Sequence, residues 1–159
     1  MTTMSTDATA VRLQRTIAAS PADVYRAWLD PALLVRWMSP RGLGVTRAEV
    51  DERPGGSFRI WQDADGVAAG GFECELRELV PAERIVLDWR FVGPERVADP
   101  AHDSRLTVTL RAAGAGTELT LVHERLEAFR AAMPDVAENI SVGWELALDK
   151  LAVVFGPAA

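Results

Sequence analysis

The sequence is poor in the residues that support covalent and metal chemistry. Its 159 residues include one cysteine, Cys74, and two histidines, His102 and His123. One cysteine cannot form an intramolecular disulfide, and the spacing of these three residues is not typical of a metal site. The sequence also has no phosphate-binding glycine loop, no dinucleotide fingerprint and no nucleophile elbow, so we expect neither a metal nor a cofactor.

Positive charge is scarce and comes almost entirely from arginine. Lys150 is the one lysine beside sixteen arginines, and the formal net charge is −6. Nucleic-acid binding requires clustered basic side chains against phosphates. We therefore expect no nucleic-acid partner.

Long apolar runs are also missing. No stretch approaches the roughly 20 apolar residues that cross a bilayer, so we expect no insertion into a membrane. Residues 1–10 are mostly small or polar, which predicts a flexible N-terminal tail and no signal peptide. Together with the single cysteine, these features predict a cytoplasmic protein.

The remaining composition is that of one globular domain. Apolar residues make up 48% and charged residues 25% of the chain. A chain of this length buries roughly 68–70% of its unfolded surface, which is enough for a core without disulfides. Since no linker or internal repeat appears, we expect a single domain over residues 11–156.

Two cap-then-proline signals predict a pair of short helices early in the chain. Ser20 precedes Pro21, and Asp30 precedes Pro31. Ser and Asp side chains cap helix N-termini, and proline suits the first helical position. The second helix is expected to end near Trp37.

A single long helix is predicted at the C-terminal end. Asp135 is a candidate N-cap, and Gly156 follows Phe155 as a stop signal. Apolar residues recur at helical spacing between them. This stripe consists of Ile140, Trp144, Ala147, Leu148, Leu151 and Phe155.

Between these helical regions the apolar period switches to two, which is typical of strands. A first strand is predicted before the helix pair, over residues 11–19. The others are predicted near 44–53, 56–63, 67–80, 84–92, 104–112 and 117–126. Short turns join most of these strands, so neighbouring strands should be antiparallel.

This order of elements predicts an α+β fold. One long helix with a wide apolar stripe needs a sheet face to cover it. A seven-stranded antiparallel sheet must curve to follow its twist. We therefore expect a helix-grip arrangement, with the sheet wrapped around the C-terminal helix and two short helices after strand 1.

Strand parity indicates which side chains face that helix, because alternate residues point to opposite faces. Together with the helix stripe, the inward set forms our candidate ligand-binding residues. They are Phe58, Ile60, Phe72, Trp89, Phe91, Leu106, Val108, Leu121, His123, Trp144 and Leu148.

His123 shares the inward parity of Leu119 and Leu121. The simpler interpretation is a core histidine whose nitrogens are satisfied by neighbouring groups. The alternative is a group that binds a ligand carbonyl or transfers a proton. No second catalytic group is evident beside it, so no catalytic residue is assigned.

The five tryptophans are predicted to lie in three different places. Trp28 and Trp37 are expected to fix the short helices to the sheet, and Trp89 and Trp144 to meet between the long helix and the sheet. Whether this last pair fills that space or lines a cavity stays open. Trp61 has the opposite parity from its neighbours and is expected on the outer face.

Six motifs in order resemble those of the activator of Hsp90 ATPase homologue 1-like family, within the START-like, Bet v 1-like superfamily. The similarity covers about residues 11–155. It rests on Ala27-Trp28 to Asp30-Pro31 with Arg36 to Pro40, then Arg53 to Arg59, Pro81 to Trp89, Ser104 to Leu110, Gly116 to Glu124 and Gly143 to Leu151. The family usually has a second tryptophan at the position of Met38.

The resemblance implies a helix-grip fold whose cavity, across the superfamily, holds lipids, polyketides or hormones. It also implies two other possibilities, because the eponymous activator contacts an Hsp90-type chaperone in the stress response. Our first hypothesis is a binding protein for a small hydrophobic molecule. The alternatives are a protein-interaction module, for a chaperone or as a homodimer, and a cyclase or hydrolase that uses His123.

Overall fold

A computed structural model describes residues 3–6, 10–39, 44–97, 103–132 and 134–156. His102 and the middle of its loop lie outside the described residues. In the described part of the chain, no helix is long and apolar enough to cross a membrane.

The two predicted short helices are present. Helix α1 spans Pro21–Leu29 and helix α2 spans Pro31–Trp37. Ser20 Oγ accepts a hydrogen bond from the Asp23 backbone N–H at 3.2 Å, as a capping side chain does. The indole of Trp37 donates to the carbonyl of Ala27 at 3.0 Å, which ties the second helix to the first.

The strands form one antiparallel sheet. In chain order they are β1 (Thr3–Thr6), β2 (Ala10–Ile17), β3 (Gly44–Val50), β4 (Ser57–Ala64), β5 (Val67–Val80), β6 (Arg84–Trp89), β7 (Phe91–Val92), β8 (Ser104–Ala113) and β9 (Gly116–Glu124). The order across the sheet is β1-β2-β9-β8-β6-β5-β4-β3, and β7 pairs with β5. The predicted α+β class and antiparallel sheet are confirmed.

The described sheet has nine strands where the sequence predicts seven. One additional strand is β1, which pairs with β2 inside the segment expected to be a tail. The other arises because the strand predicted over 84–92 breaks after Trp89, and its last part pairs separately with β5 as β7.

Two glycines allow β5 to approach its neighbours closely, Gly70 towards β7 and Gly71 towards β4. Gly70 and Gly71 have φ values of 96° and 143°. A Cβ atom on Gly70 would lie 2.0 Å from the carbonyl oxygen of Val92, and one on Gly71 would lie 2.0 Å from that of Ile60. Only glycine allows these strands to approach so closely.

The prediction of one uninterrupted helix from Asp135 to Phe155 is wrong. The chain forms α3 (Glu127–Ala132), α4 (Pro134–Glu138) and α5 (Ile140–Val154), with Asn139 preceding α5. Proline is compatible with the first turn of α4 but not with a helix interior, so Pro134 separates α3 from α4. The predicted apolar stripe is buried from Ile140 to Leu151, and Phe155 is half-buried.

The core lies between the inner sheet face, the short helices and α5. The inward side chains of β4, β6, β8 and β9 are buried, as parity predicts. Because α5 is only 15 residues long, it covers part of this face and leaves space beside it.

Candidate functional site

A pocket of about 470 Å³ lies between α5 and the sheet. Its wall is formed by the residues that follow α2, by strands β4, β5, β6 and β7 with their adjoining residues, and by the first half of α5. The lining residues include Met38, Ser39, Gln62, Phe72, Trp89, Phe91, Asn139, Ile140, Gly143, Trp144 and Ala147. Most of these residues present apolar atoms to the space.

The aromatic part of the wall is one continuous cluster. The ring of Trp89 lies 5.2 Å from that of Trp144 and 4.5 Å from that of Phe72, measured between centroids. Phe91 meets Phe72 at 5.2 Å and stacks on Phe129 of α3 at 4.7 Å. The contact expected between Trp89 and Trp144 is thus present, and both residues form part of the pocket wall.

The structure divides the eleven predicted ligand-binding residues into two groups. Phe72, Trp89, Phe91 and Trp144 line the pocket. The other seven are buried in the packed core outside its lining: Phe58, Ile60, Leu106, Val108, Leu121, His123 and Leu148. Parity identifies the inward face but not which part of that face α5 leaves uncovered.

Sequence reasoning missed the polar part of the wall. Ser39 and Gln62 line the pocket and are 5% and 6% exposed, respectively. The side-chain N–H of Gln62 donates to the carbonyl of Met38 at 3.2 Å. A signal existed for Gln62, since it shares the inward parity of Phe58 and Ile60. No periodic pattern in the sequence identifies Ser39, because it lies outside the strands and beyond the end of α2.

A cation lies directly behind this polar wall. The ammonium of Lys150 donates to the hydroxyl of Ser39 at 3.0 Å. Desolvation lowers the pKa of Lys150 below its ordinary value. The neighbouring carboxylate of Asp149 is engaged by Arg15 at 2.5 Å.

His123 is fully buried, and both of its ring nitrogens have partners. The indole N–H of Trp144 donates to Nδ1 at 3.1 Å, and Nε2 lies 2.6 Å from the hydroxyl of Ser104. Because an indole only donates, Nδ1 must accept and Nε2 must carry the proton. Ser104 then donates to the carbonyl of Trp89 at 3.3 Å. The geometry agrees with the simpler interpretation of a satisfied core histidine.

Burial lowers the pKa of His123 from 6.5 to about 3. Below pH 6.5 the unfolded chain binds a proton at this residue that the folded chain does not. The contribution of neutral, buried His123 to the free energy of unfolding is therefore fully present above pH 6.5 and is lost progressively as the pH falls toward 3. The predicted slope is about 1.4 kcal/mol per pH unit, or roughly 2 kcal/mol between pH 6.5 and 5.

Urea denaturation at pH 7 and pH 5 measures this loss. His123→Gln is the matched variant, because an amide can accept from Trp144 and donate to Ser104 without titrating. We expect its free energy of unfolding to change less between the two pH values than that of the wild type. Equal changes in both proteins would contradict the assignment.

Metal binding and thiol chemistry are the other two possibilities that the described titratable groups raise. Among the described residues, no group of three His, Cys, Asp or Glu side chains is placed to hold a metal ion. The thiol of Cys74 is buried, and desolvation raises its pKa, so it is unreactive at neutral pH.

Trp61 occupies the outer face, as parity predicts. It is half-buried, and the guanidinium carbons of Arg47 and Arg96 lie 4.8 Å and 4.2 Å from its ring centre. Arg96 is itself paired with Glu73 at 3.1 Å. The exposed surface of Trp61 is therefore bordered by charged side chains.

A curved antiparallel sheet folded against a C-terminal helix, with a pocket between them, defines the helix-grip class of the START-like superfamily. The chain belongs to the family described as activator of Hsp90 ATPase homolog 1-like proteins, which matches residues 18–156.

Solved structures support this assignment. A protein from Chromobacterium violaceum is 33% identical, with a TM-score of 0.73, and the match covers 94% of this chain and 99% of that one. Two others share the fold at 20% identity. One, from Arthrobacter aurescens, has a TM-score of 0.85, and the match covers 98% of this chain and 92% of that one. The other, the AHSA1 protein from Silicibacter pomeroyi, has a TM-score of 0.74, and the match covers 91% of this chain and 96% of that one. No curated protein matches the sequence significantly.

Proposed function

We propose that this protein binds a small hydrophobic molecule in the pocket between α5 and the sheet. The observation that carries the proposal is a space of about 470 Å³ walled by four aromatic side chains and a few buried polar groups. Pockets for small molecules typically have 300–1,000 Å³ and a mostly apolar wall with few polar groups. Phe72, Trp89, Phe91 and Trp144 are the proposed apolar contacts.

Buried hydrogen bonds hold two of the aromatic wall residues in place from behind the pocket. Trp144 is held by its hydrogen bond to His123, and Trp89 by that of its carbonyl with Ser104. A wall fixed in this way loses little conformational entropy when a ligand binds. His123 itself has no free nitrogen and no place in the pocket lining, so the geometry favours binding over proton transfer by this residue.

A thermal-shift screen of the purified protein tests the proposal. The panel consists of fatty acids, aromatic polyketides and sterols. A ligand at 100 times its dissociation constant adds about 2.7 kcal/mol to stability. That change corresponds to a shift of several degrees, because about 1 kcal/mol moves the midpoint of a domain of this size by roughly 2–4 °C.

The second candidate function is a protein-interaction module, for an Hsp90-type chaperone or as a homodimer. Family membership favours this function, since the family is named after an activator of the Hsp90 ATPase. The large apolar residues exposed in the described part of the chain are five valines: Val35, Val67, Val97, Val142 and Val153. A screen without any stabilising compound would contradict ligand binding and make stimulation of Hsp90 ATPase the next measurement.

A further inference from the structure

The pocket is chemically asymmetric. Its aromatic cluster is apolar, whereas Met38, Ser39 and Gln62 form a polar corner. These three residues are adjacent, because Ser39 follows Met38 in the chain and Gln62 donates to the Met38 carbonyl. A purely apolar ligand would leave the buried polar atoms of this corner facing hydrocarbon, which costs free energy.

The charge behind this corner is positive. Lys150 donates to Ser39 at 3.0 Å, so one hydroxyl separates the ammonium from the pocket. A hydroxyl that accepts from a cation is polarised to favour negative charge on its other side.

We infer that the ligand is amphipathic, with an apolar body against the aromatic cluster and a carboxylate head at the polar corner. Ser39 and Gln62 hydrogen-bond the head, and Lys150 supplies the opposite charge. This inference rests on the proposed function and adds the class of molecule that the pocket selects. It also gives a role to the one lysine of the chain.

The test compares two competitors that differ only in the head group. N-phenyl-1-naphthylamine, a neutral fluorescent probe, is bound first and then displaced by dodecanoate or by dodecanol. Loss of the opposite charge behind Ser39 should weaken binding of a carboxylate by at least about tenfold. In Lys150→Met, displacement by dodecanoate should weaken by that factor, whereas displacement by dodecanol should change by less than about twofold.

Lys150→Arg is the matched control, because it retains the positive charge at this position. It should restore most of the dodecanoate affinity. The inference is overturned if Lys150→Met weakens both competitors equally or neither of them. Failure of the probe to bind the wild-type protein would instead contradict the proposed function, so the two failures are distinguishable.

The single lysine also permits a direct spectroscopic readout. Incorporation of lysine labelled with ¹³C at Cε labels one side chain in the whole sequence, that of Lys150. We expect its resonance to shift when dodecanoate binds and to shift much less with dodecanol. A purely structural role for Lys150 predicts equal shifts with both compounds.

Discussion

Trp28→Ala is expected to lower the free energy of unfolding by about 3–5 kcal/mol, because truncation of a buried tryptophan removes its packing and leaves a cavity. Trp28 is 1% exposed. Its ring contacts Trp37 at 4.7 Å and Trp144 at 6.0 Å between centroids, so it joins the short helices to α5. Urea denaturation followed by circular dichroism measures the loss.

Trp28→Phe separates packing from hydrogen bonding. The indole N–H of Trp28 is buried and has no acceptor among the described residues. Its removal therefore sacrifices no hydrogen bond and relieves an unsatisfied donor. We expect Trp28→Phe to cost much less than Trp28→Ala. If both variants were as stable as the wild type, the contact of Trp28 with Trp37 and Trp144 would not stabilise the fold.

Much of the fold could be predicted from the sequence, because local signals act at short range. The caps at Ser20 and Asp30 depend only on their immediate neighbours, and both occur as predicted. Strand parity similarly placed His123 inside and Trp61 outside. These outcomes depend on geometry that repeats every two or every 3.6 residues.

The elements that differed depend on pairing at long range. Phe91 continues the parity of Trp89, yet β7 leaves β6 and pairs with β5, where Gly70 allows a close approach to Val92. The C-terminal helix was predicted too long because the apolar stripe and the cap signal at Asp135 were joined across Asn139. A stripe indicates a helix face but does not show where the helix begins.

The candidate site was predictable only in part for a related reason. Four aromatic lining residues belong to the inward set, but a pocket is the part of a face that its partner does not cover. The coverage depends on where α5 begins, at Ile140, and on how Trp144 packs. Ser39 lies beyond a helix end, where periodicity carries no information, so its place in the wall requires the three-dimensional structure.

Gly143 offers a way to fill the pocket without disturbing the core. It lies within α5 and lines the pocket, and a Cβ atom at this position would meet nothing within 4 Å outside its own helix. Glycine in a helix interior is less favourable than alanine by about 0.8–1.0 kcal/mol. Substitution at this position should therefore stabilise the helix while it removes space.

Gly143→Phe and Gly143→Ala form a matched pair. The phenylalanine ring is expected to occupy pocket volume beside Trp144 and to weaken binding by at least about tenfold, equivalent to about 1.4 kcal/mol. The methyl group of alanine should leave affinity close to that of the wild type. Both variants should be at least as stable as the wild type, so weaker binding by Gly143→Phe cannot be attributed to unfolding.

The most direct test of ligand binding in the pocket is therefore a fluorescence titration of the wild type, Gly143→Ala and Gly143→Phe with N-phenyl-1-naphthylamine. If the probe binds in this pocket, we expect saturable binding by the wild type and Gly143→Ala, and affinity reduced at least about tenfold in Gly143→Phe. Equal binding by all three proteins would place the probe outside the pocket between α5 and the sheet. No binding by the wild type would contradict the proposal that this pocket holds a small hydrophobic molecule.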